Sequence, residues 1–272
     1  KVVARHGGVY TTHLRNEGEN VIEAAEEAIE AARVTGVKTI ISHLRPLIGF
    51  EEKVGKIRGL FDKLDSKLDI HFDTFPFDSS LTPIYTLMPD WAKKGNLESM
   101  WSSLTHSGTR EEIKKSLADS PLRKMTIAYA PNNKYLVGKT VADFAKNQGV
   151  SEAEALIELM TLTRMKAMLL YQNINLSKAE EMIFDERALV GSNGASLSRD
   201  EYAVSPERGL KTFPKFLELA SKRKNYSREA AIKKITSQVA KKFGIKDRGL
   251  VKEGYAADLV MLDGAKVVNV IV

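Results

Sequence analysis

The chain has 272 residues, of which 43% are hydrophobic and 28% are charged, and its net charge is +6. This composition is typical of a globular protein with a sizeable core, and no apolar run reaches the roughly 18 residues that a membrane-spanning helix needs. The first residues do not have the pattern of a signal peptide. The absence of cysteine excludes disulfides and thiolate ligands within this chain and is consistent with a cytoplasmic location.

Strands and helices alternate over the first part of the sequence. The predicted elements are a strand at 7–13, a helix at 18–36, a strand at 37–43, a helix at about 51–66 and a strand at 70–77. We expect Asn20 to cap the first helix with Glu23 as its capping-box partner, and Gly36 to end it. Near-continuous apolar strands separated by helices indicate a parallel sheet with helices packed outside it.

The alternation is interrupted after residue 77. Residues 78–187 are predicted to be mostly helical, with a further strand at 124–130, and to form an inserted subdomain or cap. The run ALVGSNG (188–194) resumes the sheet, and 227–245 predicts one helix. The last segment, 254–272, predicts two strands that turn at Asp263-Gly264.

Basic residues cluster at 221–226, 233–234 and 241–248. Such runs are compatible with nucleic-acid binding, but here they alternate with apolar residues at helical spacing and no nucleic-acid motif accompanies them. We therefore predict solvated helix faces, with neither nucleic acid nor membrane as a partner.

Two histidines occupy equivalent positions at strand ends. His13 ends the strand VYTTH, and His43 ends TIISH, one strand–helix unit later. If the two strands are parallel neighbours, both imidazoles extend from the same sheet edge and are near enough to share a metal ion. The alternative for each is an ordinary structural histidine, which is how we interpret His6, His71 and His106.

Several stretches of the sequence resemble the N-acyl-D-amino-acid deacylases, or D-aminoacylases, of the amidohydrolase superfamily. The matching stretches are YTTHLRNEG (10–18), ISHLRP (41–46), FDTFPFDSSLT (72–82), VGSNG (190–194), RGLKTFPKFL (208–217), ITSQVAKKFGI (235–245) and DRGLVKEGYAADLVMLD (247–263). The resemblance implies an α/β fold, a (β/α)8 TIM-like barrel with a helical insertion and a small β-sandwich. It divides the chain into barrel units at 1–77, the insertion at 78–187, the last barrel strand and helices at 188–250, and sandwich strands at 251–272.

The resemblance also implies roles for individual residues. His13 and His43 match metal histidines, and the metal, zinc or another divalent ion, activates water and polarises an amide carbonyl. Asn193 stands where the family has an aspartate as general base. Arg208 and Arg45 match positions that bind substrate, although a purely structural role for either is an alternative. Arg15 and Glu17 are candidate partners of the metal histidine, or simply solvated.

The sequence departs from the family pattern in three ways. Asn193 replaces the base, the chain has no His-x-His pair, and it has no cysteine, so the metal site is incomplete. Only the later barrel strands are recognisable, so the chain resembles the C-terminal half. We expect a homo-oligomer or pairing with a missing N-terminal half. The predicted function is hydrolysis of N-acyl-D-amino acids or related acylated substrates; the alternative is a non-catalytic relative that binds a small carboxylated ligand or a partner chain.

Overall fold

A computed structural model describes residues 1–65, 67–119, 124–194 and 203–272. The strands are β1 (Val9–Thr12), β2 (Lys38–Ile41), β3 (Ile70–Thr74), β4 (Ser79–Pro83), β5 (Met125–Tyr129), β6 (Met168–Gln172), β7 (Ala188–Val190), β8 (Leu259–Asp263) and β9 (Lys266–Ile271). The α-helices are α1 (Val2–Arg5), α2 (Val21–Thr35), α3 (Glu51–Asp62), α4 (Leu97–Ser103), α5 (Ser107–Ala118), α6 (Val141–Gln148), α7 (Glu152–Leu162), α8 (Leu176–Met182), α9 (Arg208–Ser221), α10 (Arg228–Ile235) and α11 (Ser237–Phe243). Short 3-10 helices lie at Ile84–Leu87, Asp90–Ala92 and Lys134–Leu136.

The described residues form two compact units, one of 1–78, 174–194 and 207–272, and one of 79–173 and 203–206. In the first unit, β1, β2, β3 and β7 form a parallel sheet in that order. A helix follows each of the first two strands and returns the chain to the same end of the sheet, as a parallel connection requires. The predicted parallel sheet is therefore confirmed.

One face of this sheet is covered by α2 and α3. Ile70 and Phe72 belong to the buried cluster that these helices complete. His71 and Asp73 alternate with them along β3, so their side chains lie on the opposite face. A parallel strand that buries apolar side chains toward its helices thus presents titratable groups on its other side.

The C-terminal segment adds a second apolar cluster to the first unit. Val190 of β7 packs with Phe216 and Ala220 of α9 and Ala231 of α10. The hairpin of β8 and β9 turns at Asp263-Gly264, as predicted, and Leu262 contacts this cluster. Most other hairpin side chains are exposed, including several valines.

The second unit has its own core around an antiparallel sheet, in which β6 lies between β4 and β5. Ile127, Leu156 and Met160 are fully buried there. The sequence predicted β5 but missed β4 and β6. β4 is a polar edge strand that ends in proline, and β6 is a short apolar run whose period does not distinguish strand from helix.

Two helix predictions need correction. Asn20 does not cap α2; instead the Asn16 side chain accepts hydrogen bonds from the N–H groups of Gly18 and Asn20, at 3.0 Å each. Gly36 does end the helix, with a positive φ of 65°. The single helix predicted over 227–245 is two helices, because the backbone of Thr236, with a φ of −130° and a ψ of −93°, leaves the helical conformation between them.

No helix in the parts of the chain that the structure describes is long and apolar enough to cross a membrane. The prediction that the basic runs are solvated is wrong for two residues, since Lys234 and Lys242 are each 4% exposed. Lys234 donates to the Asp185 carbonyl at 2.6 Å, and burial lowers its pKa to about 8. These buried lysines attach α10 and α11 to the segments that precede β7 and β3.

Lys242 makes more hydrogen bonds than Lys234. Its ammonium group donates to the Asp69 carboxylate at 2.6 Å, to the Asp69 carbonyl at 2.8 Å and to His71 Nδ1 at 3.0 Å. Burial, and then the charge of Lys242, lower the pKa of His71 to about 4, so its ring is neutral and accepts this bond. The cluster closes the amino end of β3.

We predict that Lys242→Ala destabilises the first unit by about 2 kcal/mol, because it removes the buried ammonium group that pairs with the Asp69 carboxylate. Lys241→Ala, at the exposed neighbouring position of the same helix, is the control and should change stability by less than about 0.5 kcal/mol. Thermal and denaturant unfolding of both variants measure the difference, and equal losses would contradict a role for the buried ammonium.

Candidate metal centre

The carboxyl ends of β1 and β2 bring His13 and His43 together. Thr12 pairs with Ile41 in the parallel register, and each histidine follows its strand within two residues. The rings stack with centroids 4.4 Å apart and an interplanar angle of 26°. Nδ1 of His13 contacts Nε2 of His43 directly. Two imidazole nitrogens from neighbouring strands therefore converge on one point at the sheet edge.

Glu17 holds the imidazole of His43 from its other side. One carboxylate oxygen lies 2.7 Å from His43 Nδ1, and the other contacts the guanidinium of Arg45. Burial alone would raise the pKa of Glu17, but the His43 hydrogen bond and the Arg45 charge keep this pKa below its ordinary value. A carboxylate partner places the proton on Nδ1 and leaves the lone pair of Nε2 directed toward His13.

Asp73 holds the main chain of the same histidine. Its Oδ1 accepts the His43 N–H at 2.8 Å. His43 has a φ of 42°, a left-handed conformation that costs free energy in a residue other than glycine and needs support from its surroundings. Burial raises the pKa of Asp73, and the His43 N–H partly offsets that rise.

Asn193 lies in the turn that follows β7. It is exposed and has a φ of 44°. The Gly194 N–H donates to the Ser192 hydroxyl at 3.2 Å, and the Asn193 carbonyl accepts from Arg208 Nε at 3.3 Å. The turn is thus fastened to the first residue of α9 through main-chain and side-chain groups.

Arg208 is a buried cation, with 3% of its surface exposed. Its guanidinium lies over the Phe75 ring, 5.0 Å from the centroid. Burial, and then the charge of Arg45, lower the pKa of Arg208 to about 10. Arg45 is at the same time paired with Glu17, so this region holds two guanidinium groups and one carboxylate.

The sequence left Arg15 and Glu17 evenly balanced between partners of the metal histidine and solvated residues. The structure brings only Glu17 to His43, while Arg15 pairs with Glu27 at 2.8 Å on the exposed surface. Asp73 had no predicted role, although it contacts the backbone of His43. Its position at the end of a strand was the available signal, but its partner is a main-chain group 30 residues away.

The residues present fit part of a metal site. Two imidazole nitrogens that meet at one point, with the second nitrogen of His43 held by a carboxylate, form an arrangement that suits two of the ligands of a divalent ion. No group of three or more histidine, cysteine, aspartate or glutamate side chains suited to a metal occurs among the described residues. The remaining ligands are therefore not supplied by the described part of this chain.

Comparison with known proteins gives consistent matches. The sequence model of the amidohydrolase family (Amidohydro_3) matches residues 197–270. D-aminoacylase of Alcaligenes xylosoxydans xylosoxydans is 25% identical over 98% of this chain and 48% of its own length. N-acyl-D-glutamate deacylase of the same organism is 24% identical over 97% of this chain and 46% of its own length. The chain spans about half the length of the curated relatives it matches.

Two solved structures share the fold. A D-aminoacylase crystal structure aligns with a TM-score of 0.67 at 23% identity, over 95% of this chain and 47% of its own. N-acyl-D-glutamate deacylase of Bordetella bronchiseptica, complexed with zinc and a phosphonate inhibitor, aligns with a TM-score of 0.69 at 20% identity, over 100% of this chain and 53% of its own. The predicted α/β fold, a partial TIM-like barrel, is confirmed.

We predict that Arg208→Met destabilises the ligand-free chain by about 1 kcal/mol, because it removes the donor to the Asn193 carbonyl while its unbranched side chain still covers Phe75. Thermal unfolding measures the change. Lys211→Met, one turn along the exposed side of α9, is the matched control and should have little effect. A variant at position 208 that unfolds no earlier than this control would contradict a structural role for the guanidinium group.

Proposed function

We propose that this relative of the N-acyl-D-amino-acid deacylases is the part of a longer metal-dependent amide hydrolase that supplies two metal-binding histidines. Its substrates would be N-acyl-D-amino acids or related acylated compounds. The observation that carries the proposal is the contact of His13 with His43 at the sheet edge, with Glu17 bonded to the second ring. The names and shared fold of the relatives support the class of reaction.

His13 and His43 would hold zinc or another divalent ion, with further ligands from outside the described residues. When bound, such an ion supplies a Lewis acid that activates water and polarises the acyl carbonyl. Glu17 keeps the proton of His43 on Nδ1, so that Nε2 retains the lone pair that binds a metal ion. Two histidines alone do not select among zinc, nickel and copper.

We propose that Asn193 occupies the position of the general base without acting as one. Its carboxamide accepts and donates hydrogen bonds, but it does not take up a proton at neutral pH. The turn is exposed and held by Arg208 through the Asn193 carbonyl. The backbone for a proton-transferring side chain is thus retained, while the side chain itself is changed.

Arg208 and Arg45 are the proposed site for the substrate carboxylate. Their mutual repulsion is relieved by an anion, and a guanidinium group matches a carboxylate with two parallel hydrogen bonds. Phe75, beneath Arg208, would form an apolar wall beside the bound carboxylate. Because Arg45 also contacts Glu17, the substrate position and the His43 ring share one chain of contacts.

We propose that the chain works with the missing half of the longer protein, or with a second copy of itself, in the cytoplasm. Among the described residues, β1 is an edge strand of the parallel sheet, and an unpaired strand edge readily pairs with another chain. In the hairpin, Val260, Met261 and Val268 are each more than half exposed. These surfaces would be covered in a complete barrel and sandwich.

A second candidate function is that of a non-catalytic relative that binds a small carboxylated ligand or a partner chain. Asn193 is the observation that favours it, because the loss of the base leaves the Arg208 and Arg45 region intact. In this case an N-acyl amino acid would bind and would not be hydrolysed.

We predict that His13→Ala and His43→Ala each weaken zinc binding to this chain by at least about tenfold, since each removes one converging nitrogen. Calorimetric titration with zinc measures the affinity. His6→Ala, an exposed histidine outside the site, is the control and should bind zinc like the unchanged chain. Equal zinc affinity in all three variants would overturn the assignment of the metal histidines.

We predict that Asn193→Asp in the longer protein increases amide hydrolysis of an N-acyl-D-amino acid by about 10²–10⁴-fold, the usual contribution of a positioned general base. Asn132→Asp is a matched control, because Asn132 is also an exposed asparagine with positive φ, of 63°. Product release assays decide between the two functions. Binding without hydrolysis in the Asn193→Asp variant would support the non-catalytic relative.

A further inference from the structure

We propose that Asp73 is the positioning residue of His43, and that Gly191, the residue that follows the neighbouring strand β7, leaves the space that the Asp73 side chain occupies. The importance of the position rests on the proposed function, in which His43 binds a metal. The contacts themselves do not depend on it.

Asp73 supports the left-handed turn at His43 through two separate groups. Its side-chain Oδ1 accepts the His43 N–H at 2.8 Å, and its main-chain carbonyl accepts the Leu44 N–H at 2.9 Å. The second bond is retained by any residue at position 73, so the carboxylate bond is the one that a substitution removes. Since φ of His43 is 42°, loss of that bond allows the backbone to relax toward a more common conformation.

The imidazole of His43 is then fixed from both sides. Asp73 fixes the main chain from β3, and Glu17 fixes Nδ1 of the ring from the loop after β1. The bond to the main chain fixes the position of the His43 backbone, and the contact with Nδ1 fixes the orientation of the imidazole ring. Nε2 therefore meets His13 only while both restraints hold.

Gly191 explains how the Asp73 carboxylate fits. A Cβ atom at position 191 would lie 2.9 Å from Asp73 Oδ1 and 3.2 Å from its Cβ and Cγ, distances that real Cβ atoms avoid. Gly191 is not among the glycines with positive φ, so its own backbone does not require glycine. The oxygen nearest to that missing Cβ is the one that accepts the His43 N–H.

These contacts couple the residue that follows β7 to the metal histidine His43. Gly191 donates its N–H to the Thr74 carbonyl at 3.1 Å and lies two residues before Asn193. A side chain added at position 191 would displace Asp73 and, through it, His43. Gly191 thus acts on a histidine that it is not seen to contact.

The test compares Asp73→Ala, Asp73→Asn, Gly191→Ala and the double variant Asp73→Ala/Gly191→Ala in the 272-residue chain. Gly55→Ala is the control, because a Cβ atom at that helical glycine meets nothing within 4 Å. The first measurement is hydrogen exchange of the His43 amide by NMR, with the Ile40 amide inside β2 as an internal reference. The second is the affinity for zinc.

In Asp73→Ala we expect faster exchange at His43 with Ile40 unchanged, and zinc affinity lower by about 10–100-fold. Asp73→Asn keeps an oxygen acceptor and should restore both properties to near the values of the unchanged chain. Gly191→Ala should shift both in the same direction as Asp73→Ala, and it should add nothing in the double variant. Because Gly191→Ala retains Asp73, it provides the test even if Asp73→Ala does not fold.

The proposal is overturned if the His43 amide stays protected in Asp73→Ala, or if Gly191→Ala has the same effect with and without Asp73. An unchanged chain that binds no zinc would contradict the proposed function. In that case, hydrogen exchange of the His43 amide would still test whether Asp73 positions His43, because this measurement does not depend on zinc.

Discussion

Parallel pairing of β1, β2, β3 and β7 is the constraint on which the site depends. Because all four strands run in one direction, their carboxyl ends meet at one edge, and the residues that follow them become neighbours. His13, His43 and the turn at Asn193 each follow one of these strands. The convergence of residues that are far apart in the sequence is therefore a consequence of topology and register.

Buried cations lie at both ends of the strands. At the amino ends, Lys242 is paired with the Asp69 carboxylate, and Lys234 donates to the Asp185 carbonyl. At the carboxyl ends, Arg45 is paired with the Glu17 carboxylate, and Arg208 donates to the Asn193 carbonyl. Burial lowers the pKa of Lys234 and of Arg208 alike, because each charge is removed from water.

The sequence predicted the parts that follow from local pattern. Strand ends, helix periodicity and the hairpin turn at Asp263-Gly264 were all visible as spacing or turn chemistry, and matched strand ends were enough to bring His13 and His43 together. Asp73 was not predictable, because its partner is a main-chain N–H exposed by an unusual φ at His43. A sequence pattern contains no information on that bond.

The failures in the helices have the same origin. Asn20 has the residue type of an N-cap, but Asn16 supplies the hydrogen bonds that organise this helix start. Thr236 fits a helical period, but its backbone adopts a φ of −130° and a ψ of −93°, outside the helical range. In each case the residue type was compatible with two local conformations, and the local pattern did not select between them.

The most direct test of this account is anomalous X-ray scattering at the zinc absorption edge from crystals of the chain grown with zinc. The account predicts a zinc peak at the contact between His13 Nδ1 and His43 Nε2, with Glu17 still bonded to His43 Nδ1. Zinc peaks elsewhere in the chain and none between these two histidines would contradict it.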